Sequence, residues 1–72
     1  MSNKTDLLRF GNRVRQLRKE RKLTQSKLAE LIGLSTIFIG MIERGERNTT
    51  VDKIFKLAEA FNISLSEFFK TV

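Results

Sequence analysis

Apolar residues recur at intervals of three and four along this chain, and each such stripe follows a residue type that favours the start of a helix. The first stripe consists of Leu7, Phe10, Val14 and Leu17. It predicts a helix over residues 6–21, with Asp6 or Thr5 as its cap. Because residues on one face of a strand recur at every second position, this spacing favours helices over strands.

Two short segments in the middle of the chain carry the same helical signal. The first follows Thr24 and stops at Gly33, and the second follows Ser35 and ends at Gly45. Ser and Thr are common helix caps, and glycine readily adopts the left-handed conformation at which helices often end. The two predicted helices are therefore joined by a tight turn, which is typical of a helix-turn-helix motif over residues 24–44.

Two further helices are predicted near the C-terminal end of the sequence. The fourth helix follows Thr50 and ends at Asn62, a residue that tolerates the left-handed conformation. Its apolar stripe consists of Val51, Ile54, Leu57, Ala58 and Phe61. Ser64 and Glu67 form a capping box for a fifth, short helix that runs through Phe69. We therefore expect an all-α fold, a compact five-helix domain without strands.

The residue types that are missing exclude most catalytic chemistry. The chain has no Cys and no His, which removes disulfides, thiol nucleophiles, imidazole bases and nearly all transition-metal sites. Glu43 and Glu46 lie three apart, but Arg44 and Arg47 flank them, so an ion-pair network is expected rather than an active site. With one domain over residues 1–72, we expect no enzyme, no cofactor and no small-molecule ligand.

Positive charge is concentrated in one segment of the chain. Residues 9–27 carry eight Lys and Arg against Glu20 alone, whereas the rest of the chain is nearly balanced. Such asymmetry indicates a polyanionic partner. The longest apolar run, residues 37–42, is far shorter than the ~20 residues that span a bilayer. We therefore expect a cytoplasmic protein that binds nucleic acid rather than a membrane.

The middle of the chain resembles the helix-turn-helix of the phage-repressor and Cro-like (XRE-type) family of bacterial regulators, over the segment LTQSKLAELIGLSTIFIGMIERG at residues 23–45. The residues that carry the resemblance are Thr24, Gln25, Leu28, Ala29, Gly33, Ile39, Ile42 and Glu43, with Val14, Leu17, Arg18, Ile54, Leu57, Ala58 and Leu65 on either side. The later strings ERGERNTT and KLAEAFNISLSEFF are similar to the small controller proteins of restriction-modification systems. The resemblance implies a lambda-repressor-like fold.

The same resemblance implies a transcriptional regulator that binds a palindromic operator in double-stranded DNA as a homodimer. The likeness to controller proteins implies autoregulation of restriction-modification genes, by repression or activation, with RNA polymerase as a further partner. A prophage-type repressor is the alternative within the family. An antitoxin-like module that binds another protein is the alternative from a different class, since a fold alone does not determine function.

Five residues lie where relatives read bases in the major groove, and they are Thr36, Ile37, Phe38, Gly40 and Met41. Arg47 follows this helix and is predicted to read a base or the minor groove. Relatives usually carry polar side chains along this helix, whereas the predicted helix offers one hydroxyl and otherwise only groups that cannot hydrogen-bond a base. Contacts with thymine methyl groups would then favour T-rich half-sites. The alternative is that Phe38 or Met41 belongs to the core, because a helix that is apolar on all sides is normally buried.

The resemblance, together with the basic segment, predicts seven residues as phosphate contacts. They are Gln25, Lys27, Arg15, Arg44, Asn48, Thr49 and Thr50. Gln25 stands at the start of the second predicted helix, where free N–H groups and the helix dipole attract phosphate. The alternative for this group is an ordinary solvated surface. Arg18 and Glu43 occupy positions where relatives form a partly buried ion pair, so a structural role is implied for both.

The last ten residues are more apolar than a monomer of this size needs. Leu65 and Phe68 are expected in the core. Ile63, Phe69 and Val72 remain as candidates for a twofold interface, which fits a family that binds palindromic operators as dimers. The alternative for Phe69 is a single exposed aromatic residue.

Overall fold

The computed structural model describes residues 3–72, and over this range the chain folds into five α-helices without a strand. They are α1 (Lys4–Glu20), α2 (Gln25–Ile32), α3 (Thr36–Glu43), α4 (Val51–Phe61) and α5 (Leu65–Phe68). The all-α prediction and the predicted order of the five helices are therefore confirmed for the described part of the chain.

Each helix begins at a side chain that accepts a hydrogen bond from the backbone three residues further on. The predicted caps that form this bond are Thr24, Ser35, Thr50 and Ser64. The predicted cap of α1 is wrong, because Asn3 rather than Asp6 or Thr5 starts the helix. The Oδ1 atom of Asn3 accepts from the N–H of Asp6 at 2.9 Å, which places the Asp6 carboxylate in the first turn, where the helix dipole favours it.

Two helices end at the predicted left-handed residues, whereas α3 ends at Glu43, before the predicted Gly45. Gly33 ends α2 with a φ of 72°, and Asn62 ends α4 with a φ of 57°. Lys22, in the turn after α1, also adopts the left-handed conformation, with a φ of 56°. This conformation is uncommon for residues other than glycine, asparagine and aspartate. The turn that leads into α2 is therefore made without the glycine that such a position favours.

Every helix contributes to one hydrophobic core. Its buried residues are Phe10, Val14, Leu17, Leu28, Ala29, Ile32, Ile39, Ile42, Leu57, Ala58, Phe61 and Phe68. The predicted core residue Leu65 is half-buried and packs against this cluster. Val51 is predicted in the apolar stripe of α4, but it is 68% exposed. It is the first residue of the helix, and the buried residues of α4 begin only at Leu57.

Two arginines of the cationic segment bind the ends of other helices. Arg13 donates to the carbonyl oxygens of Phe68 and Glu67 at 2.7 and 2.6 Å, and so ties the end of α5 to α1. Arg21 donates to the carbonyl oxygen of Phe61 at 2.7 Å, at the end of α4. The last carbonyl groups of a helix lack intrahelical partners and carry partial negative charge, so a guanidinium stabilises them. The positive charge of this segment is therefore only partly available to a partner.

Helix α3 lies between α1 and α2. The backbones of α1 and α3 approach closely at Gly11, where a Cβ atom would overlap the carbonyl oxygens of Ile42 and Glu43. Between α2 and α3 the chain bends by 109°, as expected for a helix-turn-helix. In the described range no single helix is long and apolar enough to cross a membrane, and α2 and α3 reach that criterion only when joined across this bend.

Replacing Gly11 by alanine is expected to destabilise the fold, because the added methyl group forces the α1 and α3 backbones apart. Overpacking of this kind costs about 1–3 kcal/mol. Gly40→Ala is the matched control: at this second helical glycine the methyl group would meet only side-chain atoms, and the gain in helix propensity is about 0.5–1 kcal/mol. Urea denaturation measures both changes. A Gly11→Ala variant as stable as the wild type would contradict the close approach of the helices.

Candidate nucleic-acid interface

The turn between α2 and α3 presents the start of α3 to solvent. Gly33 ends α2, and the hydroxyl of Ser35 caps α3 by accepting from the N–H of Phe38 at 3.1 Å. Thr36 and Ile37 follow this cap and are exposed. Ile37 keeps 71% of its surface accessible although it is fully apolar. A large apolar side chain held out by a capped helix is suited to contact with a partner.

Two of the apolar base-reading candidates are only partly accessible. Phe38 and Met41 are half-buried, and Phe38 packs against the core. The guanidinium of Arg47 lies over the outer face of the Phe38 ring, with its central carbon 5.8 Å from the ring centroid. A cation–π contact of this kind restrains an exposed arginine. Phe38 is therefore placed to position Arg47, a contact that no local sequence pattern indicates.

Gly40, which the sequence predicts as a base-reading position, is not itself exposed at the surface. It is buried because the side chains of Arg44 and Gln25 cover it. A Cβ atom at Gly40 would lie 3.1 Å from Nη1 of Arg44 and 3.8 Å from the side-chain amide of Gln25. The surface at this point is therefore formed by the two covering side chains.

Arg44, which follows α3, forms a bidentate ion pair with Glu46. Its Nε and Nη2 atoms donate to the two carboxylate oxygens at 2.9 and 3.1 Å. These hydrogen bonds raise the pKa of Arg44 and hold the pKa of Glu46 below its usual range, so both groups are charged at neutral pH. Because both side chains are exposed, the pair orients Arg44 more than it stabilises the fold.

A buried polar network lies behind this surface. Arg18 donates to both carboxylate oxygens of Glu43, at 2.7 and 3.1 Å, and to the carbonyl oxygen of Leu23 at 2.8 Å. Only 11% of the Arg18 side chain and 3% of the Glu43 side chain are exposed. The amide of Gln25 donates to the same carboxylate at 3.0 Å. The predicted partners Arg18 and Glu43 are thus brought together, and Gln25 joins α2 to them.

This contact changes what Gln25 has available for a ligand. One amide N–H points into the protein, which leaves the second N–H and the carbonyl oxygen for other partners. The family resemblance and the position of Gln25 at a helix start predict it as a phosphate contact. Its contact with Glu43 joins residues 18 positions apart, and nothing in the local sequence pattern indicates it.

The other candidate phosphate contacts are exposed or half-buried around the motif. Lys27 lies 3.5 Å from Glu30 on the surface of α2, and Arg15 is exposed on α1. Asn48 accepts from the N–H of Thr49 at 2.8 Å, and Thr50 caps α4. The side chains of Asn48 and Thr50 are therefore partly occupied by the backbone N–H groups of Thr49 and Lys53. Within residues 3–72, no cluster of three potential metal ligands is found.

The three residues predicted for a dimer interface do not lie together. Phe69 and Val72 line a groove with Leu7, Phe10 and Ile54. Phe69 is 41% exposed, and its ring stacks on Phe10 with a centroid distance of 6.2 Å. Ile63 is half-buried and lines a separate groove beside the exposed Phe55. Ile63 therefore lines a different groove from the one that Phe69 and Val72 share.

A family model described as helix-turn-helix matches residues 14–68. The chain belongs to the helix-turn-helix family. Among its relatives, the control protein C.MunI of Mycoplasma sp is 36% identical over 66 residues, which cover 90% of this chain and 89% of that protein. Two longer transcriptional regulators also match, and the chain spans 12% and 36% of their lengths.

Solved structures of helix-turn-helix proteins share this fold. The restriction-modification controller protein C.AhdI from Aeromonas hydrophila superposes with a TM-score of 0.85 at 45% identity, over 90% of this chain and 98% of that one. The P22 c2 repressor, solved in complex with a synthetic operator, superposes with a TM-score of 0.77 at 28% identity, over 88% and 96% of the two chains. The predicted repressor-type fold and the resemblance to controller proteins are thereby confirmed.

Replacing Glu43 by glutamine is expected to destabilise the helix-turn-helix, because it leaves the buried guanidinium of Arg18 without a counter-charge. Breaking one side of a buried pair costs about 3–5 kcal/mol. Glu46→Gln is the matched control, since it makes the same change in an exposed pair and should leave the melting temperature unchanged. Thermal and urea unfolding of the two variants measure the difference. Equal stability of both would show that the buried network does not hold the motif.

Proposed function

We propose that this chain is a homodimeric transcriptional regulator that reads a palindromic operator in double-stranded DNA through α3. The observation that carries the proposal is the exposed start of α3, set by the 109° bend after α2 and bordered by arginines at its far end. A helix presented in this way fits the major groove, where its first residues meet base edges. The exposed Ile37 supports contacts with thymine methyl groups and hence T-rich half-sites.

Phosphate contacts on both sides of α3 would hold the protein in register. Gln25 and Lys27 lie in the first turn of α2, and Thr50 and Val51 begin α4. The free N–H groups of both helix starts favour an anionic phosphate. Such contacts determine position and overall affinity, whereas the base contacts of α3 determine sequence.

Arg47→Ala and Lys27→Ala separate these two roles. Arg47 lies over Phe38 beside α3, so its removal should lower affinity for the operator more than affinity for random DNA, by about 1–3 kcal/mol of discrimination. Removal of Lys27 should weaken binding to the operator and to random DNA alike, and should reduce the slope of log K against log salt by about 1. Fluorescence anisotropy titrations at several salt concentrations measure both quantities. Equal losses on both kinds of DNA for Arg47→Ala would remove its base-reading role.

The groove around Phe69 is proposed as the dimer interface. Its apolar floor is formed by Leu7, Phe10 and Ile54, and Asp6 and Arg9 lie at its edge. In a twofold contact each surface meets a copy of itself, so a patch with both signs of charge at its rim is self-complementary. A dimer would also cover Phe69, whose exposure is otherwise unexplained.

Phe69→Lys is expected to give a monomer in sedimentation analysis, because a charge at the centre of an apolar interface remains unpaired. It should also lower operator affinity. Phe55→Lys is the matched control, since it introduces the same charge at another exposed phenylalanine, 50% accessible, in the other groove. If the chain stays a dimer with Phe69→Lys but becomes a monomer with Phe55→Lys, the interface lies instead at the groove lined by Ile63.

Control of restriction-modification genes, including its own, is the biological role that we propose. The support is the likeness to C.MunI and C.AhdI, which the chain matches over 89% and 98% of their lengths. Dimerisation and occupancy of paired sites would make the response depend steeply on the concentration of the regulator. A reporter fused to the promoter of its own gene should change its output when the chain is supplied in trans. An unchanged reporter would contradict autoregulation.

A further inference from the structure

We infer that Arg44 reads a guanine in the operator, and that Glu46 holds its guanidinium in the orientation that this requires. The inference rests on the proposed function and names a specificity-determining residue for it. It also replaces the sequence-based assignment of Arg44 as a phosphate contact. Three observations carry it: the position of the guanidinium over Gly40, the apolar character of α3, and the geometry of the Glu46 pair.

The absence of a side chain at Gly40 gives the guanidinium its position. Gly40 lies four residues before Arg44, so the two residues share one face of the helix. The Nη1 atom of Arg44 lies 3.1 Å from where a Cβ atom of residue 40 would be. The arginine therefore folds back along α3, over the place where another residue would present its own side chain. It remains accessible there, with 56% of its side chain exposed.

Helix α3 has little else with which to hydrogen-bond a base. Ile37 and Met41 on its outer surface are apolar, and Thr36 has a single hydroxyl. A guanidinium has five N–H donors in a planar fork. Lying over Gly40, Arg44 supplies the donors that the helix itself lacks. Its position is therefore that of a base reader at the surface of α3.

The pair with Glu46 leaves the correct edge of the guanidinium open. Nε and one N–H of Nη2 are taken by the carboxylate, at 2.9 and 3.1 Å. Both N–H groups of Nη1 and the second of Nη2 remain, and together they form the end of the fork. This edge matches the O6 and N7 acceptors of guanine, which arginine binds bidentately in the major groove.

The carboxylate also argues against a phosphate as the partner of Arg44. Glu46 is charged at neutral pH and lies in direct contact with the guanidinium. It would repel a phosphate brought to the same group, whereas the edge of a guanine is neutral and is not repelled. A carboxylate beside an arginine therefore favours base recognition and disfavours backbone binding.

The test uses the operator that the wild-type chain selects from random DNA. Each guanine is replaced in turn by 7-deazaguanine, which lacks the N7 acceptor, and affinity is measured for the wild type and for Arg44→Ala. One guanine should be found at which the replacement weakens the wild type by about 10-fold and leaves Arg44→Ala unaffected. Lys27→Ala serves as the comparison, because loss of a phosphate contact lowers affinity without coupling to any single guanine.

Glu46→Gln tests the positioning role. Removal of a negative charge should strengthen binding to random DNA. The coupling of Arg44 to its guanine, meaning the part of the affinity loss on 7-deazaguanine replacement that disappears in Arg44→Ala, should fall. The two effects therefore have opposite signs. If Glu46 acted only by repulsion, affinity would rise on both kinds of DNA and the coupling would persist, which would overturn the positioning role. Coupling of Arg44 to no guanine would overturn the inference and leave the proposed function standing. Selection of no operator would remove both.

Discussion

A buried pair of opposite charges holds α3 to the rest of the molecule. Arg18 on α1 and Glu43 at the end of α3 are both buried, and Gln25 on α2 donates to the same carboxylate. Buried charges are costly unless their hydrogen bonds are satisfied. Here Arg18 also binds the carbonyl oxygen of Leu23, and no buried side-chain polar atom among the described residues lacks a partner. The relative orientation of three helices therefore depends on one network.

The arginines of this chain divide into structural and surface groups. Arg13, Arg18 and Arg21 bind carbonyl oxygens at the ends of helices or loops. Arg44 and Arg47 lie at the α3 surface, where Glu46 and Phe38 respectively restrain them. A rigid guanidinium loses less conformational freedom when it binds than a mobile one. The same residue type thus builds the fold and prepares the surface that we propose to contact DNA.

Local patterns in the sequence were sufficient to predict most of the architecture. Capping at Thr24, Ser35 and Thr50 and the left-handed ends at Gly33 and Asn62 depend on neighbouring residues, so a linear pattern contains the information. The resemblance also placed Arg18 beside Glu43. The cover over Gly40, the inward turn of Arg13 and the separation of Ile63 from Phe69 depend on contacts between distant segments, which no local pattern contains.

The most direct test of this account is selection of binding sites by the wild-type chain from a pool of random double-stranded DNA at about physiological salt, where nonspecific cationic binding is weak. The account predicts enrichment of an inverted repeat whose half-sites lie about 10 base pairs apart, centre to centre, and contain thymines opposite the apolar part of α3. Recovery of DNA without any common sequence would contradict it. The exposed surface of α3 would then belong to an interface with another protein.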